Sequence, residues 1–252
     1  MTALDRVRET LERRAAAGLG RELRPRAAGE DLLDLAGNDY LALSKDPRVI
    51  EGAVRAARTW GTGAGGSRLV TGTTELHAQL ERELAAFVAA PAALVFSSGY
   101  LANLGVLSAL GGPDVTIVSD AGNHASIIDA CRLSGSTVAV TPHRDLDKLA
   151  AALASTETEH AVVVTDAVFS VDGDRACLRE MHAIARRHHA ILVVDEAHSL
   201  GVVGSRGAGA VVAEELAAET DVVRTLTLSK SLGAQGGAVA AAPEVIELLI
   251  NT

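Results

Sequence analysis

Six short apolar runs, at 93–97, 115–119, 137–141, 161–165, 191–195 and 222–229, recur along this chain, most of them separated by longer stretches of helical pattern. Each run is apolar throughout instead of alternating polar and apolar residues. Strands of that kind are covered on both faces, and strands that alternate with helices pair in parallel. The expected fold class is therefore α/β, with a mostly parallel central sheet flanked by helices. Ligands of such sheets sit beyond the carboxyl ends of the strands, and every polar cluster considered below falls at one of those ends.

Upstream of the runs, Leu4, Val7 and Leu11 stand at helical spacing, followed by an Arg/Pro/Gly stretch at 21–29 and a short apolar segment at 32–36. Gly37-Asn38-Asp39-Tyr40 is turn-like. Pro47 at a first-turn position predicts a helix over 47–60, a glycine-dense loop follows at 61–66, and a second helix is expected over 74–89. Residues 1–45 thus read as an N-terminal helical arm and 46–252 as one large domain. The last ten residues, from Pro243, begin a helix rich in large aliphatics with no glycine cap, so the chain reads as cut, not finished.

Composition narrows the function classes. No apolar run approaches the roughly eighteen residues that span a bilayer, and the N-terminus lacks a signal-peptide core. Cys131 and Cys177 are the only cysteines, too few for a disulfide framework or a zinc site, so a reducing cytoplasm is expected. A net charge of −9 speaks against nucleic acid as the main partner. Of 23 basic residues only Lys45, Lys148 and Lys230 are lysines, so the position of each carries information.

Five segments carry candidate chemistry. Asp195-Glu196-Ala197-His198 ends a buried strand. A helicase DEAH box needs a P-loop lysine after glycine, and the three lysines follow Ser44, Asp147 and Ser229, so that reading fails. Two others remain: solvated acids at an ordinary strand end, or a carboxylate beneath a heterocycle that keeps a pyridine nitrogen protonated, as a pyridoxal phosphate (PLP) ring requires. Gly61, Gly63 and Gly66 fit G-x-G-x-x-G, but a dinucleotide fingerprint follows a strand and residues 53–58 are helical in pattern. A flexible or close-packed loop is the better account.

Lys230, flanked by Ser229 and Ser231, follows a strand and precedes the turn from Gly233 to Gly237. It either snorkels to the surface or is a desolvated amine available to an aldehyde. Thr227 and Ser229 could each help bind a phosphate. Ser97-Ser98-Gly99-Tyr100 joins a strand to a helix expected at 101–110, and such a turn can bind an anion or simply cap the helix. His124, in a run from Ser119 to Ser126, is a surface or capping residue, or an imidazole stacked on a flat cofactor.

In order and spacing these segments, with Asn38 to Ser44, Gly63 to Arg68 and Val168-Phe169-Ser170-Val171-Asp172-Gly173, closely resemble the α-oxoamine synthases, fold-type I PLP enzymes. The resemblance implies the PLP-binding large domain of a fold-type I transferase over 46–252. It implies that Lys230 holds PLP as a Schiff base and later moves protons. Asp195 would pair with the pyridine nitrogen, His198 would meet the ring's 3-oxygen, and His124 would stack on the ring. Ser98, Gly99, Tyr100 and Thr227 would hold the phosphate, with Ser170 and Asn38 near ring or substrate.

Gly66 to Gly72 and the run from His124 to Leu133 favour the member that joins L-alanine to a pimeloyl thioester, on coenzyme A or a carrier protein, with loss of carbon dioxide in biotin synthesis. Members of the glycine C-acetyltransferase or 5-aminolevulinate synthase type, serine palmitoyltransferases, and a catalytically impaired relative are the alternatives. The implied assembly is a cytoplasmic homodimer without nucleic-acid or membrane partners and without a metal. Three departures stand out. Ser199 replaces a usual glycine and adds a side chain near the ring. The arginine expected to meet the acyl substrate aligns with Gly20, beside Arg21. The C-terminal domain that binds the amino-acid carboxylate lies beyond the last residue.

Overall fold

A computed structural model describes residues 2–29 and 33–252. Leu32, the first residue of the expected apolar segment, lies outside the described residues, as does Met1. The chain separates into two compact units, one ending at Gly37 and the other running from Asn38 to Thr252.

In the first unit, helix α1 (Asp5–Ala16) forms where Leu4, Val7 and Leu11 predicted it, and it buries none of its residues. Asp5 in the first turn accepts from Thr2, and Arg13 and Arg14 occupy the last turn, so both ends complement the helix dipole.

The second unit opens with α2 (Pro47–Trp60) and α3 (Glu75–Phe87). Asp46 caps α2 by accepting from the Arg48 N–H, and Pro47 takes the position where a missing N–H costs nothing. The strands are β1 (Ala92–Phe96), β2 (Val115–Asp120), β3 (Thr137–Thr141), β4 (His160–Asp166), β5 (Ile191–Asp195), β6 (Val222–Thr227) and β7 (Gly237–Ala241). Between them run α4 (Gly99–Leu110), α5 (Ala125–Leu133), α6 (Leu146–Ala154), α7 (Leu178–Arg187) and α8 (Ala210–Ala213), with α9 (Pro243–Asn251) after β7.

One seven-stranded sheet results, in the order β1-β7-β6-β5-β4-β2-β3. Strands β2 to β6 pair in parallel, as expected. Strand β7, absent from the sequence expectation, lies antiparallel between β1 and β6. Its residues, Gly-Ala-Val-Ala-Ala, have weak strand preference and a helical look. Burial of all five between two strands decides the outcome. β6 also ends at Thr227, two residues before the expected limit, where the chain turns into the Lys230 loop.

Period-two alternation explains why the runs are apolar throughout. Val162 and Val164 point with Ile117, Val193 and Val223 into a core under α4, α5 and α9. Ala161 and Val163 point the other way, with Val118, Leu192 and Val194, into a core under α6, α7 and α8. A third cluster packs α3 on Leu226, Ala238 and Ala240. Each fully buried Leu, Ile or Val contributes about 1.5–3 kcal/mol relative to exposure. The carboxyl ends of the strands are thereby held rigidly along one edge.

Candidate active site

Asp195 closes β5 and is buried. Its Oδ2 accepts from Asn103 Nδ2 at 2.6 Å, and its Oδ1 accepts from the Ala197 N–H at 2.9 Å. Asn103 projects from α4, where it is the one amide side chain on an otherwise apolar helix face. It also donates to Ser126 Oγ at 2.8 Å and accepts from Thr225 Oγ1 at 2.7 Å. These partners orient the Asp195 carboxylate without supplying a cation.

Asp166 stands opposite Asp195 in the β4–β5 register, so two buried acids share one strand end. Burial pushes the Asp166 carboxyl up to about 8, and the Asp195 charge adds to the rise against the pull of the His124 N–H and Lys230. Asp166 Oδ2 accepts that His124 N–H at 2.7 Å. His124 itself caps α5, its Nδ1 accepting from the Ser126 N–H at 3.2 Å and lying 2.8 Å from Ser126 Oγ, while the residue stays exposed. The capping role and an open imidazole face therefore coexist.

Lys230 is half-buried and points back toward this edge. Its Nζ donates to His198 Nε2 at 2.6 Å. Desolvation lowers the Lys230 amine, with Asp195 and Asp166 opposing. His198 is pushed down to about 4, chiefly by burial and then by the Lys230 charge. A neutral imidazole that accepts at Nε2 carries its proton on Nδ1, which donates to Tyr40 Oη at 2.7 Å; Tyr40 in turn donates to Asn38 Oδ1 at 3.0 Å. Lys230, His198, Tyr40 and Asn38 thus form one directed chain of hydrogen bonds. The snorkelling alternative for Lys230 does not hold.

A third element is the junction of β1, β7 and β6. Gly237 pairs with both Phe96 and Thr227. A Cβ on Gly237 would fall 2.3 Å from the Ser98 carbonyl carbon, and one on Gly99 would lie 3.0 Å from Thr227 Cβ. Small residues therefore bring the first turn of α4 against the end of β6. Helical geometry leaves the Gly99 and Tyr100 N–H groups without intrahelical partners there. Ser98 Oγ caps the helix by accepting from the Leu101 N–H at 3.1 Å, and Thr227 Oγ1 lies 2.8 Å from Ser229 Oγ. The result is a narrow cradle with N–H groups, hydroxyls and a helix dipole facing one way, suited to a phosphate.

Other expectations fare differently. The Tyr100 hydroxyl donates to Asp129 Oδ2 at 2.9 Å, so Tyr100 would serve an anion through its main chain. Ser170 is exposed on the turn after β4. Arg21 is exposed in the first unit. Ser199 is fully buried, and its Oγ donates to Glu196 Oε1 at 3.1 Å, so the extra side chain faces that acid and not a ring. The glycine-dense loop follows helix α2 and is exposed, with nothing within 4 Å of a Cβ at Gly61, Gly63 or Gly65; only its end is close-packed, where a Cβ on Gly66 would fall 2.4 Å from Thr71 Oγ1. Sequence reasoning missed Asn103, Asp166 and Tyr40. The lone amide of α4 and the acid directly after the run at 161–165 were the available signals.

Residues 30–252 match the aminotransferase class I and II family. The chain belongs to this family. It is 60% identical over 241 residues to the 8-amino-7-oxononanoate synthase of Mycolicibacterium smegmatis, covering 96% of this chain and 63% of that protein. Solved relatives include a serine palmitoyltransferase from Sphingomonas wittichii, at TM-score 0.87 and 32% identity over 100% of this chain and 67% of that one. The 8-amino-7-oxononanoate synthase of Francisella tularensis matches at TM-score 0.75 and 30% identity over 88% and 62%. The resemblance to α-oxoamine synthases and the expected transferase fold are both borne out. The chain spans 63–64% of the length of the first curated relatives it matches. Among the described residues no helix is long and apolar enough to cross a membrane.

Proposed function

We propose that this chain carries the PLP-binding part of an enzyme that condenses L-alanine with a pimeloyl thioester, with loss of carbon dioxide, to give 8-amino-7-oxononanoate for biotin synthesis. The observation that supports it most is the convergence of a desolvated lysine, a buried and oriented carboxylate, and an anion cradle on one sheet edge. Those three features fit the aldehyde, the pyridine nitrogen and the phosphate of PLP. When bound, PLP supplies an aldehyde for amines and a protonated ring that draws electrons from the substrate's α-carbon.

The chain's own groups divide the remaining work. A lowered pKa makes the neutral, nucleophilic amine of Lys230 more available, and the same Nζ would take and return the α-proton of the amino acid. Asp195, held by Asn103 and the Ala197 N–H, would keep the ring nitrogen protonated. Neutral His198 would face the ring's 3-oxygen, and exposed His124 would cover one ring face. Gly99, Tyr100, Ser98 and Thr227 would hold the phosphate; Ser170, Asn38 and Arg21 would meet ring or substrate. The same proposal includes a large domain over 46–252, a homodimer and a cytoplasmic location, each supported by resemblance to the family.

Borohydride reduction after adding PLP, followed by peptide mapping, tests the cofactor assignment. A label on Lys230 is expected, and one on Lys45 or Lys148 overturns it. Turnover of alanine, glycine and serine with pimeloyl-coenzyme A then tests the substrate, and a preference for glycine or serine would redirect the proposal to another family member.

A further inference from the structure

We propose that His143 is a positioning residue which, as an imidazolium, ties the loop after β2, carrying His124, to the hairpin after β4, carrying Ser170. The role of the tie rests on the reading that His124 and Ser170 serve the cofactor; the tie itself rests on geometry.

His143 follows β3 in the turn Pro142-His143-Arg144-Asp145. Its Nδ1 lies 2.8 Å from Asp120 Oδ1 and its Nε2 lies 2.9 Å from Asp174 Oδ2. An ionised carboxylate only accepts hydrogen bonds, so an imidazole with a carboxylate at both nitrogens satisfies both only when doubly protonated. Both bonds are then charge-assisted. The ring also meets Phe169 edge-on, with centroids 4.3 Å apart.

The two acids belong to the two loops. Asp120 ends β2, and its Oδ1 also accepts the Gly122 N–H at 2.7 Å, two residues before His124. A Cβ on Gly122 would fall 2.6 Å from His143 Nδ1, so the ring is packed directly on that loop. Asp174 closes the hairpin in which Phe169 N–H donates to the Asp174 carbonyl and Gly173 N–H donates to the Phe169 carbonyl, with Ser170 between them. The turn holding His143 is itself constrained. Arg144 adopts a left-handed φ of 55°, costly for a residue with a side chain, and its N–H donates to Asp120 Oδ2 at 2.7 Å.

The charged groups around the ring agree. Asp120 on the β2 side and then Asp174 on the hairpin side raise the His143 pKa, Asp120 most, and together outweigh the cost of burial. Among the described residues Arg144 is the cation paired beside them, and its guanidinium lies 3.3 Å from Asp174 and reaches Cys177 at the start of α7. A histidine whose folded value is raised holds its contacts below the ordinary value near 6.5 and loses them as pH rises through the folded value. The two loops are thus joined below the ordinary histidine value and part as pH rises through the raised folded value.

Nitrogen-15 NMR of the His143 ring in the full chain tests the charge. A midpoint above the ordinary histidine value near 6.5, with both nitrogens protonated below it, is expected, and a single neutral tautomer persisting below 6.5 overturns the proposal. Amide hydrogen exchange tests the tie. In His143→Gln, exchange at Gly122 and at Phe169 and Gly173 should rise together by roughly tenfold or more, and PLP captured from solution should bind weaker by a similar factor. A response of one loop alone, or of neither, refutes it. Asp174→Asn keeps the ring's bond to Asp120 and guards against a folding defect in the first variant. It should speed exchange in the hairpin while sparing Gly122, and exchange unchanged in both would again refute the tie. If the unaltered chain fails to load PLP on Lys230, the cofactor reading falls, while ring protonation and exchange still decide the tie.

Discussion

At the amino end of the sheet, His182 of α7 is buried with its Nε2 2.8 Å from Asp221, just before β6. Arg186 lies 2.6 Å from Glu219 and 3.5 Å from Asp221, so Glu219 and Asp221 each have a cation or imidazole against them. At the carboxyl end, His198 meets the opposite kind of partner, the amine of Lys230 at 2.6 Å. The neighbouring acids Asp195 and Asp166 face each other and have a side-chain amide and backbone N–H groups as hydrogen-bond partners. The His182–Asp221 cluster is electrostatically paired. The carboxyl end holds a base near a histidine and two acids side by side, and burial there raises Asp166 and lowers His198 and Lys230. Such unresolved charge is stable only where the surrounding core enforces it, and it is the end to which the proposed function assigns the cofactor.

The sharpest way to break this contrast is Lys230→Ala. PLP trapping by borohydride should vanish and turnover fall by at least about a thousandfold, while the thermal midpoint holds or rises because a desolvated amine is gone. Steady-state kinetics with a melting curve decides it. His182→Ala, in the paired cluster, should do the reverse: lose about 1–3 kcal/mol in urea denaturation and leave PLP trapping on Lys230 intact. Loss of trapping in that variant would erase the distinction between the two ends.

Two smaller effects sharpen it through pH. Asp166, raised to about 8, binds a proton in the folded chain that the unfolded chain has released. Its contribution is complete below the ordinary carboxylate range and disappears as pH rises through about 8. Asp166→Asn should therefore flatten the decline of stability that runs from the ordinary carboxylate range up to about pH 8. His198, lowered to about 4, stays neutral where the unfolded chain is protonated, so stability falls as pH drops from near 6.5 toward 4. His198→Asn should lessen that acid-side slope, the smallest of the four effects because the ring is only half-buried. Denaturation midpoints at a series of pH values measure both.

Much of the fold was legible because its signals are local. Runs apolar on both faces identify β2, β4, β5 and β6, and Pro47 after Asp46 places the start of α2. Strand β7 was not legible, since Gly237 to Ala241 become a strand only between β1 and β6. In the site, Lys230, Asp195, His198 and His124 could be named from their places at run ends and from lysine scarcity. Ser199 was read as a ring neighbour because sequence distance to His198 is one residue, whereas its side chain turns to buried Glu196.

By itself, then, the sequence determined which residue types end each strand and the class of sheet that must carry them, because apolar periodicity and turn chemistry act over a few residues. Only the tertiary structure decided which of those ends meet. Asn103 reaches Asp195 across 92 residues and Tyr40 reaches His198 across 158, and Asp166 faces Asp195 through a strand register. No local pattern encodes such pairings; they follow from the order in which seven strands share one sheet.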